Sequence, residues 1–167
     1  MNRLVEQLLC VARLDSVALD VSSPLDLHEL AEEVVGSMAH LALSHCRTIA
    51  LTGADHPVLV MGNSAAIADA LRNLIENAFA HTPPESEVVV EVGPEGTISV
   101  QDSGPGIPAE DRPQIFERFW RGKGVRTNGA GLGLAIVMEI VRAHGASITV
   151  TERVPRGARF DLRFGTA

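Results

Sequence analysis

The chain has no tyrosine, one tryptophan (Trp120) and two cysteines, and aromatic residues make up only 4% of its 167 positions. Cys10 and Cys46 sit in helix-like apolar settings and fit no Cys-x-x-Cys spacing, which excludes the thiolate metal and redox patterns. Both are expected to be buried, reduced thiols of a cytoplasmic protein. No apolar run approaches the ~20 residues needed to cross a bilayer, and no signal peptide is visible, so no membrane contact is expected of this stretch. Basic residues are outnumbered, 14 against 21 acidic, for a net charge of −7. That balance argues against binding nucleic acid through its phosphates. The scarce cations are unevenly placed: Arg118, Arg121, Lys123 and Arg126 cluster with no acidic residue among them, a pattern suited to contacting an anion.

What is present is enough for one ordinary domain. Hydrophobic residues are 46% and charged residues 21%, so a packed core is available. Leu4, Leu8, Val11 and Ala12 recur at helical spacing over residues 2–14, and the pattern starts without a cap, like the tail of a longer helix. Residues 15–25 read as a connection. Asp26 and Glu29 form a capping-box signature for a helix reaching about Ser44. Within it, His28-Glu29-Leu30-Ala31-Glu32 is a near miss for a zinc motif and reads as an ordinary helix face. Short strands are predicted over Arg47–Leu51 and Val58–Met61. Asn63 caps a long helix that Thr82-Pro83-Pro84 stops near His81. Glu87–Val92 and Thr97–Gln101 alternate as a hairpin around Pro94-Glu95-Gly96. A loop over residues 103–130 follows, with a helical patch near Asp111–Phe119. A helix over Gly131–His144 ends at Gly145, and Ser147–Arg153 with Ala158–Phe164 makes a last hairpin. This irregular alternation predicts an α+β two-layer sandwich, a mixed β-sheet with helices packed on one face. A structureless loop of that length inside a compact domain is usually functional.

Three blocks carry the chemistry. In Asn73-Leu74-Ile75-Glu76-Asn77 the two asparagines lie four residues apart on one helical face. The carbonyl oxygen of Asn77 suits magnesium, which prefers oxygen donors and few protein ligands; Asn73 is placed to reach the ion's waters or a phosphate. Glu76 beside them is a candidate for orienting those waters. Asp102, at a strand end before Gly104 and Gly106, can accept from the exocyclic amino group of adenine, where guanine would leave the carboxylate unpaired. The glycines allow close backbone approach. Gly129, Gly131 and Gly133 at a helix start expose N–H groups to an anion, and the helix dipole adds attraction.

These blocks, with Phe116-Glu117-Arg118-Phe119-Trp120-Arg121-Gly122 and Arg156-Gly157-Ala158-Arg159-Phe160, resemble the catalytic, ATP-binding domain of two-component sensor histidine kinases over nearly the whole chain. Residues 73–77 match that family's N box, 102–106 its first glycine box, 116–119 its F box, 129–133 its second glycine box, and 157 onward a weaker third. The resemblance implies the Bergerat ATP-binding fold, shared with DNA gyrase, mismatch-repair ATPases and a heat-shock chaperone. It implies ATP and magnesium as cofactors. Asn73, Asn77 and Glu76 take catalytic and magnesium roles. His81, Asp102, Gly104, Gly106, Ile107, Phe119, Arg121, Lys123, Gly129, Gly131, Leu132 and Gly133 form the nucleotide cleft with Asn77. Residues 1–16 are then the end of a dimerisation helix, and 17–167 the ATP-binding domain with its lid at about 103–130. Phe116, Phe119 and Trp120 are expected to anchor the lid on the core. The implied partners are the phosphoacceptor domain of the same kinase, a response regulator and a second copy in the full protein. The implied setting is cytoplasmic, within a parent of a family often anchored in the bacterial inner membrane.

Two positions qualify the resemblance. Hydrolytic members of the superfamily place Glu where this chain has Asn73, and Asn cannot take a proton from water. Ala80 stands where the family usually has Lys or Arg reaching a phosphate, which leaves weak nucleotide affinity open. None of the six histidines lies in the family's Ser-His-Glu-x-x-Thr-Pro context. A nucleotide-binding docking module and a gyrase-type ATPase remain the alternatives.

Overall fold

The computed structural model describes residues 20–21, 23–122 and 131–166. The elements are β1 (Pro24–Asp26), α1 (Leu27–Ser44), β2 (Thr48–Gly53), β3 (Leu59–Met61), α2 (Ser64–His81), β4 (Glu87–Gly93), β5 (Thr97–Gln101), α3 (Gly133–Ala143), β6 (Ser147–Glu152) and β7 (Ala158–Arg163). Their arrangement is the expected two-layer α+β sandwich: a mixed five-stranded sheet in the order β2-β4-β5-β7-β6 with three helices on one face. Only β2 and β4 pair in parallel; the remaining pairs are antiparallel.

Local chemistry sets the helix ends. The side chain of Asn63 accepts from Ala66 N at 3.0 Å and begins α2, a cap of the kind that contributes about 1 kcal/mol. Thr82 ends it in an extended conformation (φ −91°, ψ 147°), as a residue before proline must. In α1 the buried stripe Leu27, Leu30, Ala31, Val34, Met38 and Ala42 follows the helical period. Its cap Asp26 accepts from His28 N at 2.9 Å and from Val58 N at 3.0 Å, so the same carboxylate starts the helix and ties it to the segment before β3.

Strand alternation supplies the other half of the core. Val88, Val90 and Val92 face the helices while Val89 and Glu91 face away. One row crosses the whole sheet in register: Leu51, Val90, Val100, Phe160 and Val150. The fully buried members Val90, Val100 and Phe160 each contribute about 1.5–3 kcal/mol. The uncovered face is polar. Glu91 receives Arg159 Nη1 at 2.8 Å and Gln101 Nε2 at 2.7 Å, and Arg159 Nε reaches Asp161 at 2.8 Å.

Several expectations change. Residues 24–26 are not part of a connection but form β1, paired antiparallel with β3 in a separate two-stranded sheet. The helical patch near Asp111–Phe119 is a run of turns mixing three- and four-residue closures, such as Gln114 N to Asp111 O at 2.9 Å and Ile115 N to Asp111 O at 3.1 Å; Pro113 offers no N–H to continue it. Cys46 is exposed, at φ 53° in the turn after α1. Cys10, Arg126 and the predicted N-terminal helix lie outside the described residues.

Candidate functional site

The carboxylate of Asp102 is the most firmly held polar group at the C-terminal end of α2. Asp102 is only 5% exposed. Its N–H donates to Ala158 O at 2.9 Å. Its Oδ1 accepts from Gly104 N at 2.8 Å and Ala158 N at 3.2 Å. Hydrogen bonds to an ionised group are among the stronger ones available in a protein. Both go to Oδ1; among the described residues Oδ2 accepts from none. A buried carboxylate with one oxygen fixed and one spare can take a directed N–H from a planar amino group.

Glycines make that geometry fit. A Cβ on Gly104 would stand 2.7 Å from the carbonyl oxygen of His81, the last residue of α2. Gly157 has φ 127°, and a Cβ there would overlap the carbonyl of Asp102 and stand 3.0 Å from Ser103 Cα. The start of β7 therefore lies directly against the Asp102 loop. Gly106 (φ 80°) meets Gly157 O from the far side. Gly106 and Ile107 line a cleft there, beyond Gly157.

His81 is half-buried beside this carboxylate. Burial lowers the pKa of its imidazole, opposed in part by the negative charge of Asp102, so the ring is neutral at neutral pH. Ala80, next to it, is exposed.

The second cluster lies earlier on α2. Asn73 Nδ2 donates back to Asp69 O at 2.8 Å, which turns Oδ1 toward the start of α3. A Cβ on Gly133 would stand 3.1 Å from that Oδ1. The N-cap of α3, Leu132, makes no side-chain capping bond, so the first N–H groups of α3 keep the anion-attracting character of an open helix end. Asn77, one turn beyond Asn73, is half-buried, and its side chain makes no hydrogen bond among the described residues. Glu76 is half-buried beside it. Across the gap, Phe119 N donates to Gly131 O at 2.8 Å, and Gly131 (φ 71°) has no room for a Cβ, which would lie 2.8 Å from Phe119 C.

The structure thus gathers Asp102, Gly104 and His81 at one end, and Asn73, Gly131, Leu132 and Gly133 at the other, with Asn77 on the helix between them. Arg121 is exposed. Lys123 and Gly129 lie outside the described residues. Phe119 is not packed on the core: it is 65% exposed, because its positive φ of 66° turns the chain to reach Gly131. Phe116 and Trp120 do pack against the core. The deepest anchor of that segment is Ile115, 3% exposed, which sequence reasoning passed over; a lone isoleucine in a polar, proline-bearing stretch was the available signal. Gly157 was seen only as part of a weak motif. Its contact with Asp102, far away in sequence, carries no local mark beyond the glycine itself.

Comparison with known proteins gives a consistent result. The family model described as histidine kinase-, DNA gyrase B-, and HSP90-like ATPase matches residues 62–167. The chain is 41% identical over 156 residues to the probable sensor histidine kinase TcrY of Mycobacterium tuberculosis, covering 90% of this chain and 32% of that protein. It is 35% identical over 148 residues to the sensor protein QseC of Escherichia coli K12, covering 88% of this chain and 33% of QseC. The chain spans about a third of the length of these curated relatives. Among solved structures, full-length ShkA in complex with AMPPNP superposes with a TM-score of 0.78 at 31% identity, over 99% of this chain and 36% of ShkA. The catalytic domain of histidine kinase ThkA superposes with a TM-score of 0.76 at 26% identity, over 86% of this chain and 95% of that one.

Proposed function

Because this chain belongs to the histidine kinase-, DNA gyrase B- and HSP90-like ATPase family, we propose that it binds ATP with magnesium and passes the γ-phosphoryl group to a histidine on the dimerisation domain of a sensor kinase. The observation that carries this reading is a fixed carboxylate, Asp102, beside the C-terminal end of α2, together with the unengaged carboxamide of Asn77 on that helix. Residues 1–16 are then the end of the dimerisation helix and 17–167 the ATP-binding domain, and the response regulator receives the phosphoryl group afterwards.

Each residue has a derivable task. Asp102 Oδ2 accepts from the amino group of adenine, which discriminates against guanine because a carbonyl there would leave the buried carboxylate without a donor. Gly104 and Gly106 keep the loop low beneath the base, and Ile107 and His81 border it. The open N-terminus of α3, through Leu132 and Gly133 and with Gly131 and Gly129 before it, meets the phosphates. Arg121 and Lys123 add positive charge from the lid, and Phe119 flanks it. Asn73 has no basic atom, so it activates no water, and the γ-phosphoryl group is kept for a protein nucleophile.

The residues present fit magnesium. No group of three His, Cys, Asp or Glu side chains among the described residues could hold a metal by itself, whereas a neutral carboxamide without a partner suits an ion bound largely through phosphate oxygens and water. Asn77 would hold it directly, Asn73 through water, with Glu76 orienting that water. Bound there, magnesium neutralises charge during phosphoryl transfer, a reaction that depends mainly on alignment and electrostatics.

Mixing the chain and radiolabelled magnesium-ATP with a dimerisation domain carrying the phosphoacceptor is expected to label that histidine. Failure to label any such domain overturns the proposal. A second reading, a docking module with weak nucleotide affinity, is favoured by Ala80, which places no cation at the last turn of α2. Calorimetry with ATP, with Asp102→Ala as control, separates the two. Steady phosphate release by the purified chain alone would revive a gyrase-type ATPase.

A further inference from the structure

Most arginines of the described residues are tied down. Arg72 meets Asp69 at 2.8 Å, Arg112 meets Glu152 at 3.0 Å, Arg159 meets Glu91 at 2.8 Å, and Arg163 meets Glu95 at 2.5 Å. Arg47 donates to the carbonyls of His45 and Thr82. Arg153 and Arg156 differ: among the described residues neither guanidinium has a hydrogen bond or an ion pair. Both stand at the tip between β6 and β7, on either side of Val154, which is 88% exposed.

This tip forms one wall of a cleft of about 340 Å³ whose opposite wall is the Pro105–Pro108 stretch. Gly106 and Gly157 are part of its lining, so backbone rather than side chains is presented there. The carboxylate on the rim, Glu152, is already engaged by Arg112. In a chain of net charge −7, the cleft therefore offers two unengaged positive charges and three prolines, with the exposed Val154 on the same tip just outside its lining.

We propose that this cleft docks an acidic, extended segment of a partner protein. Carboxylates of the segment pair with Arg153 and Arg156, and an apolar residue between them covers Val154 and the proline rim. Charge complementarity selects the occupant. A free phosphate would leave the valine uncovered, and recognition of an anionic membrane takes clusters of about four to eight basic residues rather than two. Exposed pairs are individually weak, so the contact is a transient one. It does not require nucleotide.

The test is fluorescence anisotropy of the nucleotide-free chain with a short fluorescein-labelled peptide alternating Asp or Glu with Leu and Pro. Saturable binding that weakens as salt rises is expected. The double reversal Arg153→Glu/Arg156→Glu should weaken it about tenfold or more, and Val154→Ser about threefold. Arg142→Glu, half that charge change at an arginine that pairs with Glu139, should leave it unchanged. ADP binding retained by the double variant would show that its fold is intact; should that variant not fold, Arg156→Gln, at an exposed position, carries the same comparison with a smaller loss. Absence of saturable binding overturns the proposal. So does equal weakening by Arg142→Glu, full competition by inorganic phosphate at the peptide's own concentration, or binding of phosphatidylserine vesicles in place of the peptide. Because no nucleotide is present, a negative result here leaves the kinase reading standing, and a failed phosphotransfer assay leaves this one standing.

Discussion

Asp102, just after β5, and Asn77, on α2, are held in opposite ways. Asp102 is buried, its Oδ1 fixed by two backbone N–H groups from separate segments, with Gly157 pressed against its carbonyl. Asn77 is half-buried and its carboxamide has no hydrogen-bonding partner among the described residues. The first end is finished by the fold. The second end has bonding capacity that folding leaves unspent. On the proposed reading the finished end selects the base and the unfinished end is completed by phosphates and magnesium. The cost of any substitution should therefore fall mainly on folding at the first end and mainly on chemistry at the second.

The largest effect is expected at Gly157. Gly157→Ala forces a Cβ into the Asp102 carbonyl at a φ that L-residues rarely adopt. Strain and overlap together should cost about 3 kcal/mol or more, read as a fall in Tm of roughly 10 °C and loss of ADP binding. A Tm within a degree or two of the parent would show that the β7 start is not pinned as described. Next is Asp102→Ala, which strands the N–H groups of Gly104 and Ala158. A loss of about 2 kcal/mol in denaturant unfolding is expected, with ADP affinity reduced between about tenfold and a hundredfold in calorimetry.

At the other end, Asn77→Ala should change stability by less than about 0.5 kcal/mol while abolishing phosphoryl transfer to an added dimerisation domain. Equal damage to both measurements would erase the contrast between the two ends. A smaller signal is expected from Trp120, half-buried against the core just before residues outside the described set: its fluorescence should change on saturation with magnesium-ADP, and an unchanged spectrum would uncouple that segment from the cleft. The smallest effect is at His81. Its folded pKa is depressed, chiefly by burial, so the unfolded chain binds the proton more readily. The contribution to stability is complete above the ordinary histidine value of about 6.5 and is lost as pH falls through the lower folded value. His81→Gln should flatten the slope of stability against pH in that acidic window; an unchanged slope would place the ring in water.

Sequence legibility follows the range of the forces. Helix α2 is readable to the residue because Asn63 caps it and Pro83 stops it, both by local chemistry. The β4–β5 hairpin is equally plain in its alternation. The β1 strand was invisible because its three residues owe their extended pairing to β3, more than thirty positions away. Phe119 looked like an anchor because aromatic side chains usually bury; the glycine it reaches decides otherwise. Cys46 looked buried because of the apolar helix before it, but its immediate neighbours His45 and Arg47 are polar and the turn places it, exposed, at a positive φ. In the site, Asp102 and its glycines were legible as a strand end and turn. That both held N–H bonds would converge on one oxygen was not, since half of that grip comes from Ala158.

The uncovered face of the sheet has a consequence of its own. Glu91, Gln101, Arg159 and Asp161 satisfy one another across three strands, two carboxylates sharing one guanidinium, so most of the charge there is paired within a few ångströms of where it arises. Such a mosaic offers no unpaired cation to a passing surface and little grease to a neighbouring sheet.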